Sequence, residues 1–153
     1  MNESSNQTGP VLLSEGPFSG WMTWGAGGDP FETSLGPFCF REGPDGVRCA
    51  FQPRRMHLNN SGALHGGALM SFADFTLFAI AYKSLQSTPA VTLTCACEFL
   101  SAGDCDTMVE ATGEVLRETR SLIFARGLVT QDSRPLLAFS GTLKKIATRA
   151  PRA

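Results

Sequence analysis

The sequence has little to offer a metal ion or a nucleic acid. His57 and His65 are its only histidines, too few for a histidine-rich zinc site. Thirteen basic residues stand against fourteen acidic ones, for a net charge of −1, so the basic excess of a dedicated nucleic-acid binder is missing. No Gly-x-Ser-x-Gly occurs, which removes the nucleophile elbow of the α/β-type serine hydrolases. The segment Gly25 to Pro30 is glycine-rich, but it lacks the spacing of a dinucleotide loop and follows no strand pattern. Long apolar runs are scarce too. Gly66 to Tyr82 is the longest. It is short for a membrane span and carries Asp74 in its middle, at a cost of about 2.5–3.5 kcal/mol on insertion scales. No metal, cofactor, nucleic acid or membrane is therefore expected as a partner.

Cysteines are present in an odd number, at positions 39, 49, 95, 97 and 105. The start, Met1 to Thr8, is polar, with no basic region, apolar run or cleavage signal. Together these predict a reducing, cytoplasmic setting rather than a disulfide framework. Cys95 and Cys97 alternate by two, share one side of any strand, and read as small apolar core residues. No cysteine is near a histidine in sequence, so a Cys–His nucleophile has no local support.

What remains is an ordinary globular composition, 42% hydrophobic and 18% charged. A chain of 153 residues buries roughly 70% of its unfolded surface, so one domain over residues 1–153 is expected. Residues 1–34 form a loop-rich extension, in which Phe18, Trp21 and Met22 have the spacing of a short helix. Residues 147–153 form a basic tail expected to fray. Pro37 to Arg41 and Val47 to Gln52 read as strands joined by a Gly43-Pro-Asp-Gly46 turn. Gly66 to Tyr82, apolar almost all round, reads as a buried helix. After Pro89 the period becomes two. Val91, Leu93, Cys95, Cys97 and Phe99 alternate with Thr92, Thr94, Ala96 and Glu98. Three more runs, Val109 to Val115, Leu122 to Thr130 and Leu136 to Leu143, follow at short intervals, and predict an antiparallel meander. One apolar helix must be covered, and the sheet is the only element available to cover it. The fold class is therefore α+β, an antiparallel sheet wrapped around one long central helix.

Asp74 is the residue that calls for chemistry, because a carboxylate inside an apolar helix is costly unless paired or used. The helix entry, running from His57 through Asn59, Gly62 and His65 to Gly66 and Gly67, supplies a counterpart. The two glycines leave the first N–H groups bare, and those donors favour a negative oxygen, as an oxyanion hole requires. A base with bare helix N–H groups suggests acyl transfer to water. Gly66 and Asp74 are about 12 Å apart along one helix, so one carbonyl cannot touch both. If they cooperate, a second copy supplies one of them.

The pattern Asn59-x-x-Gly62-x-x-His65-Gly66-Gly67, followed by Asp74 on the helix, resembles the hotdog-fold acyl-CoA thioesterases of the phenylacetyl-CoA thioesterase (PaaI-like) type. The resemblance spans residues 35 to 146. It implies a hotdog fold and hydrolysis of acyl-CoA to free acid and CoA in a homodimer or homotetramer. It implies Asp74 as general base or nucleophile, and the Gly66 N–H as the group polarising the thioester carbonyl. Asn59 and His65 would shape the oxyanion side, and Thr92 would hold the water, with threonine where serine is usual. Gly67, Met70, Phe75 and Phe78 would line the substrate pocket, joined by Phe72 and by Trp21 or Trp24. Arg54, Arg55, Lys144 and Lys145 are candidates for the CoA phosphates, and His57 reads as structural. The competing readings are a hotdog dehydratase or hydratase and a non-catalytic acyl-CoA binding protein.

Overall fold

The computed structural model describes residues 9–26, 28–86 and 88–147. The basic tail beyond Ala147 lies outside them. The chain runs β1 (Val11–Leu12), β2 (Met22–Thr23), α1 (Pro30–Leu35), β3 (Cys39–Gly43), β4 (Gly46–Phe51), a 3₁₀ turn (Arg55–His57), α2 (Gly66–Ile80), α3 (Tyr82–Leu85), β5 (Ala90–Phe99), β6 (Val109–Glu118), β7 (Leu122–Gln131) and β8 (Arg134–Lys145). All eight strands join one antiparallel sheet in the order β1-β2-β3-β4-β6-β7-β8-β5.

The expected helix is present over fifteen residues and starts at Gly66 as predicted. Its buried side chains, Ala68, Leu69, Phe72, Ala73, Phe75, Thr76, Leu77 and Ala79, point to more than one side. An element apolar on so many sides must be enclosed, and strands β4 to β8 all lie against it. Close approach needs missing side chains on the sheet. A Cβ on Gly141 would meet a Leu77 methyl, and one on Gly113 would collide with an Ile80 methyl and the Arg126 carbonyl. On the side of the helix toward the extension, Phe38, Phe40, Phe51, Phe72 and Phe75 form one aromatic cluster of mostly edge-on contacts, with Trp24 stacked on Phe40 at 4.8 Å.

Three expectations need correction. The last four strands are not a simple meander. Leu122 to Lys145 forms a hairpin, turned by Asp132 and Ser133 at positive φ, but β5 pairs with β8 rather than β6. The segment between β5 and β6 is a crossover, not a turn. Its Gly103 carbonyl accepts from Leu64 N–H, and the buried Gln131 amide bonds to the backbone of Asp104 and Thr107. Buried backbone groups need partners, and Gln131 supplies them from β7.

The period-two pattern of β5 also breaks. Thr92 pairs with Leu143 and Thr94 with Thr142, so Leu93 is an extra residue in a bulge. A bulge switches the side that later residues face. Thr92 thereby shares a face with Cys95 and Cys97, whose sulfurs lie 3.9 Å apart, while Val91 and Leu93 are exposed.

Finally, Phe18, Trp21 and Met22 form no helix. Gly16 and Gly20 take positive φ, and the backbone of Leu13 bonds to that of Gly20 and Trp21. Phe18 and Trp21 then pack on Cys39 and Ala50 as a small second core. The helix of the extension is α1, capped by Asp29 and started by Pro30, both favourable choices there. His57, fully enclosed, accepts from Arg54 N–H at Nδ1 and bonds through Nε2 to the Leu35 carbonyl. It is structural, as expected, and ties α1 to the entry of α2.

Substituting Gly113 by alanine should destabilise the fold by about 1–3 kcal/mol, the usual range for overpacking. The backbone carbonyl of Arg126 cannot swing away as a side-chain end can. Urea unfolding midpoints of Gly113→Ala and the parent chain check this.

Candidate active site

The loop into α2 is organised by Asn59. Its Oδ1 accepts from Ser61 N–H, Ser61 Oγ and Ala63 N–H at 2.7–3.1 Å, and Gly62 makes the turn at φ +83°. The chain then enters the helix through His65, whose Nδ1 accepts from the Gly67 N–H at 2.8 Å. The cap therefore consumes the Gly67 donor. Among the described residues nothing accepts from the Gly66 N–H. The ring of Phe99 lies 3.2 Å from where a Cβ on Gly66 would be. This end of the helix keeps one bare donor carrying the positive end of the helix dipole.

Two turns further on, Asp74 is half-buried. The bulge in β5 aims Thr92 at it, and Thr92 Oγ1 donates to Asp74 Oδ1 at 2.6 Å, a charge-assisted length. Beside the pair is a depression of about 330 Å³ lined by Asp29, Phe31, Glu32, Met70, Ser71, Asp74 and Cys95. A larger hollow of about 660 Å³, on the sheet around Thr112, Arg126 and Ser140, contains none of the predicted site residues.

Asp74, Thr92 and Met70 are thus brought together. Asn59, His65, Gly66 and Gly67 gather at the helix N-terminus, a separate place within one chain. Phe72 and Phe75 are buried in the aromatic core; Trp24 and Phe78 are half-buried against it. Trp21 sits in the second core with the Arg41 guanidinium 4.5 Å above its ring. Of the basic candidates, Arg54 is committed to the Gly36 carbonyl at 2.7 Å and Lys145 to Glu118. Arg55 and Lys144 have no such partner among the described residues.

The sequence did not reveal Glu32. It sits in the first turn of α1, its N–H bonded to Asp29 Oδ1 at 3.0 Å, and its Oε2 is buried without a hydrogen-bond partner among the described residues. Burial, then the negative charges of Asp29 and Asp74, push its carboxyl up to about 8. The Asp29-Pro30 start could have announced the helix, but no spacing announces that Glu32 meets Asp74 across 42 residues. Burial also pushes the Cys95 thiol up to about 12, helped by neighbouring Cys97 and by Asp74.

An antiparallel sheet curled around one apolar helix, with a hydroxyl-tethered carboxylate on that helix, is a hotdog domain of the α+β class. The chain belongs to the thioesterase superfamily, whose family model matches residues 61–138. A conserved protein from Pseudomonas aeruginosa superposes with a TM-score of 0.70 at 22% identity, covering 77% of this chain and 94% of that one. The phenylacetic acid degradation protein PaaI of Thermus thermophilus, as a mutant, gives 0.65 at 28% identity, with 77% and 100% covered. A hypothetical thioesterase protein from Streptococcus pneumoniae, solved with coenzyme A, gives 0.61 at 24% identity, with 74% and 88% covered. No curated protein matches the sequence. No described helix is long and apolar enough to cross a membrane.

Glu32 also yields a stability expectation. Folded, it keeps a proton between its ordinary value near 4.5 and about 8, whereas the unfolded chain releases it. Stability is therefore lost as pH rises through that window. The melting temperature should decline from about pH 5 to about pH 8, and decline less in Glu32→Gln. Parallel curves for the two proteins would contradict this.

Proposed function

We propose that this chain hydrolyses acyl-CoA thioesters to free acid and CoA. The observation that carries the reading is the Thr92–Asp74 hydrogen bond beside an open depression. It holds a carboxylate in one orientation with its second oxygen left for a water. Asp74 takes a proton from that water as it attacks the carbonyl. Thr92 Oγ1, already donating to Asp74, has lone pairs to accept from the same water. The oxygen that becomes negative is received by the bare Gly66 N–H, where the helix dipole favours it. His65 fixes the first turn of the helix and Asn59 fixes the loop before it, so both act by positioning. Use of His65 Nδ1 in the cap supports hydrolysis over a histidine-based hydratase. The Streptococcus pneumoniae relative solved with coenzyme A supports a CoA-type substrate.

The active unit is proposed to be a homodimer or a dimer of dimers. Asp74 and Gly66 are about 12 Å apart on one helix, so Gly66 of a second copy completes each site. The long edge strand β5 supports this. It presents Val91 at 44%, Leu93 at 52% and Phe99 at 54% exposure, and such an edge calls for cover. The five free thiols suit a cytoplasmic setting.

A hydrolysis screen over acyl-CoA thioesters with thiol detection tests the activity. Asp74→Asn preserves shape and removes the charge, so turnover should drop by about 10²-fold or more. Its melting temperature should hold or rise, because a costly buried charge is gone. A variant that stays active but melts early would end the reading.

Sharing of the site is tested by mixing two inactive variants, Asp74→Ala and Asn59→Ala, with subunit exchange verified. Heterodimers should recover one intact site in two. Absence of recovery would mean that each chain supplies its whole site.

A further inference from the structure

Hydrolysis of a thioester has a second half: the sulfur must leave. The depression beside Asp74 is unfavourable to a thiolate. Cys95 is a thiol already placed there, and burial, its neighbour Cys97 and Asp74 push it up to about 12. A departing thiolate in the same surroundings would meet the same penalty, with no cation among the described lining residues to offset it. A proton donor is needed at that place.

The lining offers few. Ser71 Oγ donates its proton to the Gly67 carbonyl at 2.8 Å. Asp29 Oδ1 is occupied as the cap of α1. Asp74 receives the Thr92 proton and acts as base. Cys95 holds its proton too tightly to release it. Glu32 remains, with a buried Oε2 that no group among the described residues engages.

We propose that Glu32, reaching the site from the extension helix α1, is the acid that protonates the departing thiolate while Asp74 activates the water. The proposal rests on the hydrolase reading. Water oxygen bonds to the carbonyl carbon as its proton passes to Asp74. The carbon–sulfur bond then breaks, and the Glu32 proton goes to sulfur. The products are the acid and the thiol, and solvent returns the Asp74 proton to Glu32. The groups facing Glu32 are Asp29 at the cap of α1, Asp74 from α2, Cys39 from β3 and Cys95 from β5. None is cationic, so Glu32 keeps its proton at neutral pH, with its carboxyl near 8. A carboxyl that keeps its proton beside a second carboxyl placed to act as base suits a pairing of acid and base.

The test compares two thioesters of the same acid, one of CoA and one of an aryl thiol whose thiolate leaves without a proton. Glu32→Gln should lower turnover of the CoA thioester by about 10²-fold, and the aryl thioester by only a few-fold. The ratio of the two is independent of the folded fraction. The wild-type rate on the CoA thioester should also fall above about pH 8, and that fall should vanish in the variant. Equal losses on both thioesters, or an unchanged alkaline fall, would overturn the assignment and leave Glu32 structural. A wild-type protein inactive on every thioester would instead overturn the parent reading and this proposal with it. A variant as active as wild type overturns Glu32 alone.

Discussion

An apolar helix that presents large side chains to several directions has to be enclosed, and the rest of the fold answers to that constraint. Leu77 and Ile80 of α2 approach the sheet so closely that Gly141 and Gly113 are the residues that fit there. Five strands lie along the helix, and the aromatic rings of Phe38, Phe40 and Phe51 close the side toward the extension. Burial of this kind contributes roughly 25 cal/mol per Å² of apolar area. It supplies the drive that bends the sheet, and it leaves the polar groups on α2 with few places to go.

Asp74 shows how such a group is accommodated. Its partner among the described residues is the hydroxyl of Thr92, delivered by one extra residue in β5. Without the bulge at Leu93, strict alternation would group Thr92 with Thr94 and Ala96, away from Cys95 and Cys97. The same inserted residue therefore aims the hydroxyl at the helix and turns Val91 and Leu93 outward on the sheet edge. One local irregularity links the orientation of the carboxylate to the apolar edge offered to a second copy.

The extension is part of this arrangement. Arg54 and His57 hold the C-terminal carbonyls of α1, and Asp29 holds its N-terminus. So anchored, α1 brings Glu32 and Phe31 to the depression beside Asp74. A helix of six residues is too short to be stable alone; its position derives from these side-chain ties. The result is a pair of carboxyls from distant parts of the chain in one small space, where burial and the charges of Asp29 and Asp74 hold the proton on Glu32.

Local physics was legible in the sequence. The α+β class, the enclosed helix and its start at Gly66, the Pro44-Asp45 hairpin and the prominence of Asp74 follow from periodicity, turn chemistry and the cost of a buried charge. Each depends on neighbours in the chain. The position of β5 beside β8, the bulge that points Thr92 at Asp74, the core burial of Phe72 and Phe75, and the arrival of Glu32 depend on contacts between residues far apart. Alternation shows that a strand has two faces, but not which partner it pairs with or where an extra residue switches them. Those were decided by the tertiary structure, because backbone pairing and helix enclosure act across the whole sheet at once.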